Sequence, residues 1–162
     1  LNLPYETLEQ FGAKLGADVP FLVQGGTAFA EGIGEKLKPV TVEFPKAVLV
    51  ATPHCAVPTK DAYAGVKPSG NVRWEQFRSA WNGTLSFEFY NKFEESVFPK
   101  YPMIQNLKNK LENLGAFKTL MSGSGASVFA LFDSEENAKK ALAIIEPTVR
   151  FSRITQFKEK LI

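Results

Sequence analysis

The chain has 162 residues, 44% of them hydrophobic and 22% charged, with a formal net charge of +2. That length supports one full core, or one domain with a piece of another. No basic stripe points to a nucleic-acid partner, no acidic run marks a disordered tail, and no apolar run approaches the length that crosses a bilayer.

The first segment, "LNLPYETLEQ", carries acids and no basic region, so it does not read as a signal peptide. It begins without methionine, which suggests a fragment. "PYETLEQFGAKLG" predicts a helix: Pro4 suits a first turn, Leu8, Phe11 and Leu15 recur at helical spacing, and Gly16 is a plausible stop. Asp18 follows in a short break, "GADVP". Next comes a glycine-studded run of strand character, "VPFLVQGGTAFAEGIGEKLKPVTVEF". Thr27, Phe29 and Glu31 alternate with Ala28 and Ala30, "EGIGE" can turn the chain and "LKPVTVEF" can return it, which predicts a hairpin.

"KAVLVATP", Lys46–Pro53, is a short β-branched run between prolines and predicts a buried strand. Thr59–Ala64 reads as a short helix with Thr59 as its cap. "VKPSGNVRWEQFRSAWNG" is turn-rich and then helical, and "SFEFYNKFEESVF" favours a helix, although its aromatics also allow a strand. "PMIQNLKNKLENLG" places Met103, Ile104, Leu107, Leu111 and Leu114 on one helical face, ended by Gly115. "AFKTLM" and "ASVFALF" are strands joined by the tight loop "SGSG". "SEENAKKALAIIE" is a helix capped by Ser134 with acids in its first turn, and "VRFSRITQF" is a closing strand. From Lys46 onward the order is strand, helices, strand, strand, helix, strand. That order predicts an α+β sandwich of ferredoxin-like character over residues 45–162. Residues 1–44 do not fit that unit and read as the tail of another domain, a helix plus a β-hairpin.

Several groups could carry chemistry, each with an ordinary alternative. In Ser122–Gly125, successive backbone N–H groups can bind phosphate oxygens, but the same residues are common in hairpin turns. No Lys-Ser/Thr pair follows, so this is not a Walker loop. Asp18, between Gly16 and Pro20, can serve as a base on rigid backbone, or it can cap a helix or face solvent. Tyr63 follows Thr59 by one helical turn, so a ring and a hydroxyl share a face. They can hold a nucleobase, or the ring can pack in the core. His54 and Cys55 are the only His and Cys. A zinc site is therefore not expected, an internal disulfide is impossible, and a single cysteine fits a reducing cytoplasm.

"LGADVPFLVQGGTAFAEGIGEKL", "VPTKDAY" and "MSGSGASVFALF", in that order and spacing, resemble the small-molecule kinases of the GHMP superfamily over nearly the whole chain. The match is strongest to the branch acting on an alcohol that bears a cytidine diphosphate group, in the non-mevalonate route to isoprenoids. The resemblance implies ATP as phosphoryl donor and Mg²⁺ as cofactor. It implies Asp18 as the catalytic base for the substrate hydroxyl. Thr59 and Tyr63 would hold the cytidine end, and Ile33 would line a small apolar pocket. Gly123, Ser124 and Gly125 would shape the cleft near the phosphates.

The family pattern also contains a lysine-bearing strand and a long Gly/Ser-rich loop around the ATP phosphates, and neither has a counterpart here. The expectation is therefore that these 162 residues alone lack measurable kinase activity, and that residues 1–44 offer strand edges through which a second copy can pair as a homodimer. Rival readings are another GHMP kinase (mevalonate, homoserine or galactose type) and a non-catalytic ferredoxin-like binding module, such as an RNA reader. "ASVFALF" lacks the glycine-aromatic spacing and the charge that an RNA reader shows.

Overall fold

The computed structural model describes residues 3–34, 36–39, 47–67 and 90–157. They fall into two compact units, one holding residues 3–34 and 36–39 and the other holding residues 47–67 and 90–157.

In the first unit, helix α1 spans Tyr5–Leu15 and helix α2 spans Val19–Gln24. A two-stranded antiparallel hairpin follows, β1 (Ala28–Glu31) and β2 (Lys36–Pro39), with Phe29 opposite Lys38 and Ala30 opposite Leu37. The predicted α1 and hairpin are present, and α2 corrects the reading of "VPFLVQ" as part of the strand-like run. Its β-branched and aromatic residues look like a strand in isolation. Pro20, however, occupies the first turn, where a missing N–H costs nothing, and Gly25 at φ 67° stops the helix after six residues.

Gly12 is the buried residue of α1. A Cβ built there would lie 2.9 Å from Val19 Cγ1, so the glycine lets the two helices approach. Leu8, Phe11 and Leu15, the predicted apolar stripe, are exposed.

The second unit starts with strand β3 (Ala47–Thr52) and helix α3 (Thr59–Ala64), then α4 (Glu94–Val97) and α5 (Pro102–Asn113). Strands β4 (Lys118–Met121) and β5 (Val128–Phe132) follow, then α6 (Glu135–Ile145), a single 3₁₀ turn and β6 (Phe151–Thr155). The four strands form one sheet in the order β4-β5-β3-β6, every pairing antiparallel. This is the ferredoxin-like α+β arrangement expected from the order of elements: the first and third strands lie side by side in the middle.

Alternation follows from the strand period. Ala47, Leu49 and Ala51 of β3 and Val128, Ala130 and Phe132 of β5 join one core with Ile104, Leu107 and Leu111 of α5 and Ala138, Ala141 and Ile145 of α6. Met103, placed on the apolar face by spacing, is exposed instead. Ser134 caps α6 as predicted: its hydroxyl accepts the Asn137 N–H at 3.2 Å. Thr59 is the first helical residue of α3 and not its cap; Pro58 precedes the helix, and no side chain caps it. The helical reading of "SFEFYNKFEESVF" is met at Glu94–Val97. Tyr90–Phe93 are loop and turn, a correction to the helical reading there, and residues 68–89, with the start of that reading and "PSGNVRWEQFRSAWNG", lie outside the described residues.

Candidate functional site

The candidate residues fall into two sets, one on each unit. Asp18 and Ile33 belong to the first. Asp18 is the residue before α2, with φ −84° and ψ −14°, and its side chain makes no capping hydrogen bond. It is exposed. Its mount is stiff: Val19 N–H donates to Gly16 O at 3.2 Å, Leu22 N–H donates to Asp18 O at 3.2 Å, and Pro20 is buried next to it.

The hairpin turn packs beside this mount. Gly34 has φ +116°, and a Cβ there would lie 3.3 Å from Ala17 O. The contact places the turn that carries Ile33 against the residue preceding Asp18. Ile33 itself is largely exposed. The fold thus presents one carboxylate to solvent from a rigid corner.

Thr59, Tyr63 and Ser122–Gly125 belong to the second unit. Thr59 and Tyr63 stand one turn apart on α3, both exposed, with Ala62 buried between them. Tyr63 is not a core residue. Its ring meets Phe93 edge-on, centroids 4.8 Å apart and planes at 72°, and its other surface faces water, as a stacking platform needs. α3 lies close on α4: a Cβ at Gly65 would come within 2.6 Å of Ser96 Cβ.

The Ser122–Gly125 loop closes on itself. Gly125 N–H donates to Ser122 O at 3.0 Å and Ser122 N–H to Ser127 O at 2.8 Å. Gly123 at φ +53° and Gly125 at φ +93° both occupy the left-handed region that glycine tolerates. Among the described residues, the N–H groups of Gly123 and Ser124 have no acceptor. Two successive backbone donors are thereby left for an anion.

Sequence reasoning missed the residues that hold this loop. Asn91 donates through Nδ2 to Met121 O and to Gly123 O, both at 2.7 Å, while its Oδ1 accepts the Phe93 N–H at 3.0 Å. Glu94 accepts the Met121 N–H through Oε1 at 2.8 Å and Lys108 Nζ through Oε2 at 2.6 Å. The Asn91–Phe93 bond is an Asx turn, so an Asn two residues into "YNKFEE" was a readable turn signal. Its reach across 30 residues to the loop was not.

Cys55 is half-buried, and burial pushes its thiol upward while the nearby Arg150 charge partly offsets this. It is not poised as a nucleophile. Among the described residues, no cluster of three or more His, Cys, Asp or Glu side chains could hold a metal ion. No helix among them is long and apolar enough to cross a membrane.

Residues 75–147 match the family model described as GHMP kinases C terminal. Over 146 residues the chain is 40% identical to a 4-diphosphocytidyl-2-C-methyl-D-erythritol kinase of Bacteroides fragilis, covering 86% of this chain and 52% of that protein. The crystal structure of a 4-(cytidine 5'-diphospho)-2C-methyl-D-erythritol kinase matches with a TM-score of 0.70 at 29% identity, over 92% of this chain and 56% of the other. A homoserine kinase from Cytophaga hutchinsonii matches with a TM-score of 0.74 at 20% identity, over 98% of this chain and 59% of the other, a likeness of fold alone. The chain spans about half the length of the curated relatives it matches.

Proposed function

We propose that this chain carries the C-terminal domain of a GHMP kinase and that it serves the transfer of the ATP γ-phosphoryl group to the 2-hydroxyl of 4-diphosphocytidyl-2-C-methyl-D-erythritol in the non-mevalonate route to isoprenoids. The observation that carries this reading is the 40% identity over 146 residues to the Bacteroides fragilis kinase of that name. The homoserine kinase shares the fold at half that identity, 20%, so the fold alone leaves the substrate open and the sequence likeness supports this one. In this reading residues 1–44 complete an N-terminal domain and residues 45–162 form the C-terminal one. The enzyme is bacterial and cytoplasmic, and a homodimer through the strand edges of residues 1–44 remains part of the reading.

The roles follow from the chemistry. Phosphoryl transfer is governed by positioning and by neutralisation of charge. Asp18, exposed on its stiff corner, takes the proton of the attacking hydroxyl. Tyr63 stacks on cytosine from the α3 surface and Thr59 bonds the adjoining polar atoms. Ile33 gives the substrate an apolar wall. Gly123, Ser124 and Gly125 offer backbone N–H groups to phosphate oxygens. Magnesium comes with the ATP phosphates, consistent with its preference for water and phosphate ligands over protein cages.

Titration calorimetry of the 162-residue chain tests the substrate class. Binding of the cytidine-diphosphate alcohol, with none of homoserine or mevalonate, is expected, and equal or reversed preference overturns the reading. A chimera joining this chain to the part of the Bacteroides fragilis relative that the match leaves uncovered tests the base. There Asp18→Asn should lower turnover by about 10²-fold or more with substrate affinity within about twofold; an unchanged rate removes Asp18 from that role.

A further inference from the structure

We propose that Asn91 is a positioning residue that fixes the glycine-rich loop and ties it to the aromatic that would receive the nucleobase. A single side-chain amide holds three partners at once. Its two N–H groups take the carbonyls of Met121 and Gly123 at 2.7 Å each, and its oxygen takes the Phe93 N–H at 3.0 Å. The orientation of the amide is fixed by these partners, because the opposite flip would face its oxygen to two carbonyls.

Met121 O and Gly123 O flank Ser122 at the start of the loop. With those carbonyls drawn toward Asn91, the loop's own turn bond from Gly125 to Ser122 is supported, and the Gly123 and Ser124 N–H groups have no acceptor among the described residues. The same residue anchors the start of the segment that meets Tyr63: Phe93, whose N–H it accepts, makes the edge contact with the Tyr63 ring. Ser96, one turn further, donates to Ala62 O at 3.3 Å and to Phe93 O at 3.2 Å.

Asn91 is itself clamped. Its neighbours Tyr90 and Lys92 both bond the Glu95 carboxylate, the lysine at 2.6 Å. Residues 90–96 thus form a brace with the loop on one side and the Tyr63 helix on the other. Its consequence is a fixed spacing between an anion-accepting loop and an exposed ring, the two ends of a nucleoside diphosphate. The ligand class rests on the kinase reading above; the brace itself does not.

The test uses the 162-residue chain as wild type, Asn91→Ala and Asn91→Asp. Asn91→Asp keeps the shape and the acceptor for Phe93 but cannot donate to two carbonyls. Amide hydrogen exchange is followed at Ser122 and Gly125, with Leu49 and Ala130 in the central strands reporting the fold, and affinities for CDP and for cytidine are measured by calorimetry. Both variants should speed exchange at Ser122 and Gly125 about fivefold or more while the central amides change less than about twofold. CDP affinity should fall about tenfold and cytidine affinity stay within about twofold.

Unchanged loop exchange overturns the inference. So does acceleration of central and loop amides alike in both variants, and so does a parallel loss of CDP and cytidine, since each reports a general structural role. If the wild-type chain binds neither CDP nor cytidine while loop exchange responds as stated, the kinase reading fails and the positioning role of Asn91 stands.

Discussion

Removing the Glu94 carboxylate tests how the site end of the sheet is held. Glu94 Oε1 accepts the N–H of Met121, a residue buried at the end of β4, and Oε2 takes Lys108 at 2.6 Å. The two charged side chains are only 15% and 19% exposed, so they sit between a surface pair and a buried one. Glu94→Ala leaves the Met121 N–H without a partner, at about 1–3 kcal/mol. It also strands the Lys108 ammonium beside the Phe98 ring, 5.6 Å from its centroid. Exposed pairs are worth about 0.2–1 kcal/mol, whereas breaking buried ones costs about 3–5. Partial access to water places the loss of this pair near 1–2.

The expected destabilisation is therefore about 3 kcal/mol for Glu94→Ala. It falls to about 1–2 for Glu94→Gln, which keeps an acceptor for Met121 and loses only the charge. Exchange of the β3 amides in the 162-residue chain is the assay, because the two units need not unfold together and a single melting curve would blend them. Glu94→Ala should speed that exchange about a hundredfold. Glu94→Gln should do so about tenfold, and the Glu94→Gln, Lys108→Met double variant should be less than additive. An effect of Glu94→Ala below about 0.5 kcal/mol, or equal effects of Ala and Gln, would refute the reasoning that the Met121 N–H depends on this carboxylate.

Three further outcomes are expected. Gly125→Ala should cost more than Gly123→Ala in urea unfolding. Both positions have positive φ, worth about 1–2 kcal/mol for any other L-residue. Only at Gly125 does the added Cβ meet a neighbour, Met121 Sδ at 3.0 Å, whereas nothing lies within 4 Å at Gly123. Gly65→Ala should separate α3 from α4 and weaken cytidine binding several-fold without changing exchange in β3, read by calorimetry and NMR, since its Cβ would fall 2.6 Å from Ser96 Cβ. Cys55 should react with iodoacetamide more slowly at pH 8 than an unfolded thiol does, and Arg150→Gln should slow it further, because burial raises the thiol and the Arg150 charge opposes that rise. A folded-state value above the unfolded one also means that the stability linked to this thiol is complete below the ordinary thiol range and declines as the pH rises through the folded value.

The sequence alone determined the elements whose signals are local and periodic. α5 follows from its i, i+3, i+4 spacing, α6 from Ser134 and the acids after it, and β3 from a β-branched run between prolines. The hairpin follows from alternation around "EGIGE". Once their order was known, the rules of antiparallel connection left the β4-β5-β3-β6 sheet as the natural arrangement, and motif order pointed to the GHMP kinases. The sequence failed where two local signals conflicted. In "VPFLVQ", β-branched composition spoke for a strand, but Pro20 at a first turn and close packing against Gly12 made a helix.

Only the tertiary structure decided whether Tyr63 was core or surface, because the helical period is the same in both cases and exposure depends on what packs beside it. Only the tertiary structure revealed Asn91 and Glu94 as supports of a loop about 30 residues away. Hydrogen bonds across that separation leave no periodic trace in a chain, since they depend on where the sheet carries the loop and not on the residues that flank it.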